Sequence, residues 1–155
     1  MHPNEQLIHT FYSAFQKGDF ATMQQCYHNE ATFSDPVFQN LSSKEVRAMW
    51  QMLISASKDL RVEFDQVRAT DGRGTAHWDA YYTFSKTGNK VVNRIDASFE
   101  FKDGKILKHT DVFDFWKWSR QALGTTGLLL GWSPLVKNKV RGMATKSLRK
   151  FMKDQ

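Results

Sequence analysis

Four strand-like segments joined by tight turns occupy the chain between residues 60 and 115. They cover residues 60–69, 75–85, 91–101 and 106–115. Asp71-Gly72, Thr87-Gly88-Asn89 and Asp103-Gly104 separate them, and such sequences favour turns because glycine accepts positive φ. Strands joined by short turns predict an antiparallel meander, which leaves one face of the sheet for helices to cover.

Three helical segments precede this meander. Apolar residues from Leu7 to Phe15 follow helical spacing, and Gly18 ends that helix. Asp19 is suited to cap a short second helix. Ser42 and Glu45 have capping-box spacing and open a third helix. The order of elements therefore predicts an α+β fold, with a curved antiparallel sheet wrapped around the N-terminal helices.

The last hairpin admits two registers. A three-residue loop, 102–104, pairs Phe99 with Leu107 and Ile95 with Asp111, and it separates apolar from polar residues better than a two-residue loop does. We therefore prefer it. The same reasoning pairs Phe84 with Val91 and turns His77 away from the core.

This arrangement places titratable groups on an apolar face. His109 and Asp111 share the predicted buried face, and Asp35 shares its strand face with Phe33 and Val37. Charged groups are costly there unless they are paired, so Asp111, Asp35 and His109 are candidate catalytic residues. The structural alternatives are an Asp-Pro turn for Asp35, a carboxylate held by a buried partner for Asp111, and a satisfied core histidine for His109.

The same face predicts a mostly apolar pocket between the third helix and the sheet. We expect its ligand-binding lining to include Trp50, Trp78, Tyr82, Asn93, Ile95, Phe99, Phe113 and Tyr12. His77 and Asp79 have the spacing of a metal-binding arm, but no third ligand is evident. We therefore predict neither a metal site nor a cofactor.

The basic charge is concentrated at the C-terminus. Residues 134–155 contain seven basic residues and one acidic residue, which accounts for the whole net charge of +6. The body is neutral, so we predict no nucleic-acid binding. We expect residues 1–120 to form one domain and residues 121–155 a basic amphipathic extension packed on it. Attachment of this extension to an anionic membrane surface is the alternative.

The cellular compartment is suggested by what the sequence contains. Cys26 is the single cysteine, and the first residues are polar rather than basic and apolar. Such a chain forms no internal disulfide and shows no signal-peptide pattern. We therefore expect a cytoplasmic location.

Two stretches carry a resemblance to known families. Residues 18–37, which include Asp35-Pro36-Val37, resemble ketosteroid isomerases. Residues 102–114, which include Lys108-His109-Thr110-Asp111, resemble SnoaL-like polyketide cyclases and limonene epoxide hydrolases. All belong to the nuclear transport factor 2-like superfamily, which implies a cone-shaped α+β barrel.

The resemblance also implies roles for single residues. Asp35 matches the proton-shuttling base of the isomerases, whereas their oxyanion-hole donors fall on Phe11 and nearest Ala97, which cannot donate. Asp111 matches an aspartate of the cyclases and epoxide hydrolases. The Arg and Asp that the hydrolases also need fall on Trp78 and Ala80. Of the three families, the cyclases have the requirement that this sequence meets best, namely a single aspartate that acts as a base.

These observations give a first hypothesis and two alternatives. The first is an isomerase, cyclase or lyase that abstracts a proton beside a carbonyl of a small hydrophobic molecule, with Asp111 or Asp35 as base and His109 as helper. The alternatives are a non-catalytic module that binds a small hydrophobic ligand, and a protein that attaches to membrane surfaces through its tail. A homodimer is expected.

Overall fold

The computed structural model describes residues 1–155 and contains six helices and six strands. Their order and bounds are α1 (Pro3–Gln16), α2 (Phe20–Gln25), β1 (Tyr27–Ser34), β2 (Leu41–Ser42), α3 (Ser43–Ala56), β3 (Arg61–Ala69), β4 (Arg73–Phe84), β5 (Asn89–Lys102), β6 (Lys105–Val112), α4 (Phe115–Leu123), α5 (Thr125–Leu130) and α6 (Pro134–Lys153). The predicted α+β class is confirmed.

The strands form one sheet in the order β2-β1-β6-β5-β4-β3. Strands β3 to β6 are the predicted antiparallel meander. Strand β1 departs from the expectation of a purely antiparallel sheet, because it runs parallel to β6 and pairs Phe33 with His109 and Ser34 with Thr110. If this pairing is continued by one residue, Asp35 comes next to Asp111.

The predicted β5–β6 register is wrong by two residues, although its assignment of faces is right. The loop is the two-residue turn Asp103-Gly104, and both residues have positive φ as a type I′ turn requires. A bulge follows, after which Phe99 pairs with His109 and Ala97 with Asp111. The bulge inserts one residue, Leu107, into β6, so that Ile106 before it and His109 and Asp111 after it all lie on the buried face.

The β4–β5 pairing shows the same kind of correction. Tyr82, rather than Phe84, lies opposite Val91. Because side chains alternate across a strand, a shift of two residues leaves the faces unchanged. Trp78 and Ala80 are accordingly buried, while His77 lies on the outer face between Asp79 and Asp96.

The N-terminal helices begin where their caps were predicted. Asp19 accepts a hydrogen bond from the backbone of Thr22, and Ser42 and Glu45 form the reciprocal capping box. Helix α1 packs on β3 and α3 packs on β1, so both helices lie inside the curve of the sheet. Their fully buried side chains include Phe11, Tyr12 and Val46.

The C-terminal helices cover the body beside α3. Leu148 of α6 is buried in the main hydrophobic core, and α6 contacts α3. Val140 of α6 packs on a second, smaller cluster around Trp118 and Val91. No helix combines the length and the hydropathy needed to cross a lipid bilayer.

Candidate functional site

A chain of buried hydrogen bonds connects α3 to β6. The Trp50 Nε1–H donates to the Tyr27 hydroxyl oxygen at 2.9 Å. The Tyr27 oxygen lies 2.8 Å from His109 Nδ1, and His109 Nε2 lies 2.8 Å from Asp111 Oδ1. His109 has no exposed surface, and Asp111 is 3% exposed. The chain therefore delivers an oriented carboxyl group to the interior of the cone.

The direction of these hydrogen bonds follows from their donors. Tryptophan only donates, so the Tyr27 oxygen accepts from Trp50. The Tyr27 hydroxyl proton finds an acceptor only if His109 Nδ1 is unprotonated. His109 then carries its proton on Nε2 and donates it to the Asp111 carboxylate. In this arrangement His109 holds Asp111 in one orientation through a hydrogen bond.

Aromatic rings enclose His109. The ring centroids of Phe99 and Phe33 lie 4.5 and 4.9 Å from that of His109, and Trp50 stacks on it at 6.4 Å. Water is excluded from this environment, so the hydrogen bonds within it are stronger than they would be at the surface. His109 is consequently fixed in one orientation.

Two aromatic side chains of the core each have a buried polar atom without a hydrogen-bond partner. These atoms belong to the Tyr12 hydroxyl and the Trp78 Nε1–H, and the two rings lie 6.0 Å apart. Burial raises the pKa of Tyr12 well above its ordinary value, and the charge of Asp111 raises it further. Unpaired buried donors are rare because they cost free energy, so this pair marks a place suited to a polar atom of a ligand.

Asp35 occupies the turn that follows β1. Its Oδ1 accepts hydrogen bonds from the backbone N–H groups of Val37 at 2.7 Å and Phe38 at 2.6 Å. Burial nevertheless raises its pKa from 3.8 to about 7, and the negative charge of Asp111 adds to this rise. The charge of Asp111 therefore acts on the Asp35 carboxyl group.

The C-terminal extension reaches this turn. Arg141 Nε of α6 donates to the Pro36 carbonyl oxygen at 2.9 Å, and its charge opposes the rise in the Asp35 pKa. The smaller hydrophobic cluster is contacted by Val37 of this turn and also by Val140 of α6. Helix α6 therefore covers the turn that carries Asp35.

Most of the predicted ligand-binding residues are buried, and the others are half-buried. Trp50, Trp78, Asn93, Ile95, Phe99 and Tyr12 are buried. Tyr82 and Phe113 are half-buried, as is Asp35, and the Tyr82 hydroxyl accepts from Trp118 Nε1 at 2.7 Å. These three residues are thus nearer to the surface than the other predicted site residues.

Sequence reasoning missed Tyr27, which joins Trp50 to His109. The sequence indicated a strand around Phe33, and in the structure this strand, β1, begins as early as Tyr27. Alternation along this longer strand places Tyr27, Ala31 and Phe33 among the buried residues. The hydrogen-bond partners of Tyr27 lie 23 and 82 residues away along the chain, and no local pattern indicates them.

Two surface depressions lie outside this interior. One, of about 440 Å³, is lined mainly by polar residues near Arg47 and Lys105, whose side chains already donate to backbone carbonyls. The other, of about 370 Å³, lies along the polar side of α1 near Lys17. No group of three or more His, Cys, Asp or Glu side chains has an arrangement suited to a metal ion.

Comparison with known proteins identifies the family. The model of the SnoaL-like domain matches residues 8–109, which is more than half of the chain. No curated protein sequence matches.

Solved structures share the fold at low sequence identity. An NTF2-like protein of unknown function from Burkholderia pseudomallei has a TM-score of 0.69 and 17% identity over 78% of this chain and 98% of that chain. A limonene epoxide hydrolase-like enzyme of Mycobacterium tuberculosis has a TM-score of 0.64 and 18% identity, and the match covers 86% of this chain and 95% of that chain. IdmH, a proposed polyketide cyclase of Streptomyces antibioticus, has a TM-score of 0.66 and 19% identity, and the match covers 81% of this chain and 100% of that chain. The chain therefore belongs to the SnoaL-like domain family of the nuclear transport factor 2-like superfamily.

Proposed function

We propose that the protein abstracts a proton next to a carbonyl group of a small hydrophobic molecule, as an isomerase, cyclase or lyase does. The observation that carries the proposal is a pair of carboxyl groups: Asp111 is buried and oriented by His109, and Asp35, whose pKa burial raises to about 7, is close enough to be influenced by the charge of Asp111. A base works best when its pKa lies near the pH at which it operates.

Asp35 is the better base of the two. Its pKa of about 7 gives it a mixture of charged and neutral forms at neutral pH, and it lies nearer to the surface than Asp111 does. Asp111 already accepts a hydrogen bond from His109. We assign Asp111 the role of raising the Asp35 pKa and His109 the role of holding Asp111.

The reaction needs donors for the negative oxygen that develops. When the C–H bond breaks, the proton moves to Asp35 and the electron pair moves onto the carbonyl oxygen. The unpaired Tyr12 hydroxyl and Trp78 Nε1–H are suited to stabilise that oxygen.

The enolate formed in this way has three fates within the proposed class. Return of the proton from Asp35 to a different carbon gives isomerisation. Attack of the enolate carbon on a carbonyl group of the same molecule forms a carbon–carbon bond and closes a ring, and the resulting alkoxide oxygen takes the proton from Asp35. Expulsion of a leaving group from the adjacent carbon forms a double bond, as in a lyase, and the leaving group takes that proton. Two structural neighbours are described as an epoxide hydrolase and as a proposed polyketide cyclase. Both descriptions are compatible with a small-molecule substrate.

The test is exchange of α-protons in D₂O, followed by NMR with cyclohexanone and 2-tetralone as probes. We expect wild-type protein to exchange them about a hundredfold faster than Asp35→Asn, since a general base contributes about 10²–10⁴. The rate should rise with pH through about 7, as Asp35 loses its proton. Asp96→Asn is the matched control, because this side chain is exposed on the other face of β5.

Equal exchange by wild type and Asp35→Asn would refute the catalytic proposal. The non-catalytic alternative is favoured by one observation: two backbone N–H groups already donate to the Asp35 carboxyl group, as in a structural turn. In that case 2-tetralone should still bind, with chemical-shift changes at Tyr82 and Phe113 but no exchange.

A further inference from the structure

The strongest unexplained surface lies where α5 meets α6. Five of the ten exposed large hydrophobic side chains fall within residues 128–135, here named the apolar elbow: Leu128, Leu129, Leu130, Trp132 and Leu135. Trp132 is 72% exposed and Leu135 is 77% exposed. Soluble surfaces rarely carry such a contiguous group, and large exposed apolar patches mark interaction sites.

The fold holds these side chains outward. Helix α5 lies against α4 through glycine: a Cβ added at Gly127 would meet the Ser119 carbonyl oxygen at 1.8 Å. At Gly131 an added Cβ would meet the Ser119 hydroxyl oxygen at 2.0 Å. Glycine therefore faces the body, which leaves the leucines of α5 on the opposite side.

Further hydrogen bonds fix the apolar elbow. Trp116 Nε1 donates to the Leu128 carbonyl oxygen at 3.3 Å, and Trp132 Nε1 donates to the Leu129 carbonyl oxygen at 2.9 Å. The Trp132 ring is thus held at the tip with its polar edge already bonded. A refolding of the apolar elbow onto the body would break these bonds and the glycine contacts.

The charge around the apolar elbow has one sign. Residues 115–153 contain no Asp or Glu, and their basic residues are Lys117, Arg120, Lys137, Lys139, Arg141, Lys146, Arg149, Lys150 and Lys153. Since residues 134–155 account for the whole net charge of +6, the rest of the chain is neutral. A second copy would offer this region no net negative charge, whereas an anionic lipid surface supplies both negative charge and an apolar layer.

We propose that the apolar elbow inserts into the surface of an anionic lipid bilayer, with the flanking basic residues contacting the lipid headgroups. Leucine and tryptophan side chains would enter the boundary between headgroups and acyl chains, where tryptophan is favoured. The apolar side of α6 stays on the body through Leu148, so attachment does not require that helix to detach. This inference stands independently of the proposed reaction.

The experiment is co-sedimentation of the full chain with phosphatidylcholine vesicles containing about 30% phosphatidylglycerol, compared with phosphatidylcholine alone. We expect binding to the anionic vesicles only, and a loss of binding as salt rises, because charges are screened over about 10 Å at 0.1 M. The double variant Leu129→Ser/Trp132→Ser should bind at least about tenfold more weakly, since two large apolar side chains no longer leave water.

Val112→Ser is the matched control, because Val112 is 60% exposed and Leu129 is 62% exposed. It should bind as wild type does. Absence of wild-type binding, or equal binding by the double variant, would overturn the proposal. So would dimerisation without lipid that the double variant abolishes, since a second copy would then be what covers the apolar elbow.

Discussion

Replacing Asp35 with Asn should make the stability of the protein less dependent on pH. The asparagine oxygen keeps the acceptor for the Val37 and Phe38 N–H groups, so the turn is retained while the ionisation is removed. In the wild type, burial raises the Asp35 pKa from 3.8 to about 7. Any pH-dependent difference between the two proteins then belongs to this carboxyl group.

The sign follows from proton binding. Below about pH 4 Asp35 is protonated in the folded and unfolded states alike, so its ionisation costs nothing. As the pH rises from about 4 to about 7, the unfolded chain releases this proton while the folded protein keeps it. The wild type therefore loses stability relative to Asp35→Asn across that interval, and the difference is constant above it.

The magnitude follows from the same values. A rise from 3.8 to about 7 corresponds to about 4 kcal/mol at about 1.4 kcal/mol for each pKa unit. Asp35 is only half-buried, so screening by solvent reduces the cost, and we expect about 2 kcal/mol.

Urea unfolding of both proteins between pH 4 and pH 8 measures the difference, with carboxyl NMR reporting the Asp35 pKa directly. Asp96→Asn serves as the control for loss of a carboxyl group at the surface. If Asp35→Asn proves less stable than wild type at pH 8, the backbone hydrogen bonds dominate and the reasoning is refuted.

Three further substitutions test the packing. Tyr27→Phe leaves two buried nitrogen atoms without their partner and should cost about 2–3 kcal/mol in urea unfolding; a neutral result would contradict the buried chain. Leu148→Ala should cost about 3 kcal/mol, against little for the exposed Met143→Ala, if α6 is docked as described. Gly127→Ala should lower the melting temperature through its clash with α4, whereas Gly142→Ala, with open space around it, should raise stability by about 0.5–1 kcal/mol. Equal effects of the two glycine substitutions would exclude the close α4–α5 contact.

Much of the site could be predicted because strand alternation is a local property. Side chains along a strand alternate between its faces with a period of two, so His109 and Asp111 lie on one face whatever their pairing partners are. An error of two residues in the register therefore left their predicted burial correct. The β-bulge was not predictable in the same way. It depends on how β5 and β6 fit across the core rather than on the turn sequence Asp103-Gly104.

The sequence by itself determined the caps of α2 and α3, the turns of the meander and the face of each strand, since these depend on residues within one element or one turn. Only the tertiary structure decided the parallel pairing of β1 with β6, the link from Trp50 through Tyr27 to His109, and the contact of Arg141 with Pro36. These contacts join residues up to 105 positions apart. Packing of the whole core selects such contacts, because no local pattern of hydrophobicity or propensity distinguishes one distant partner from another.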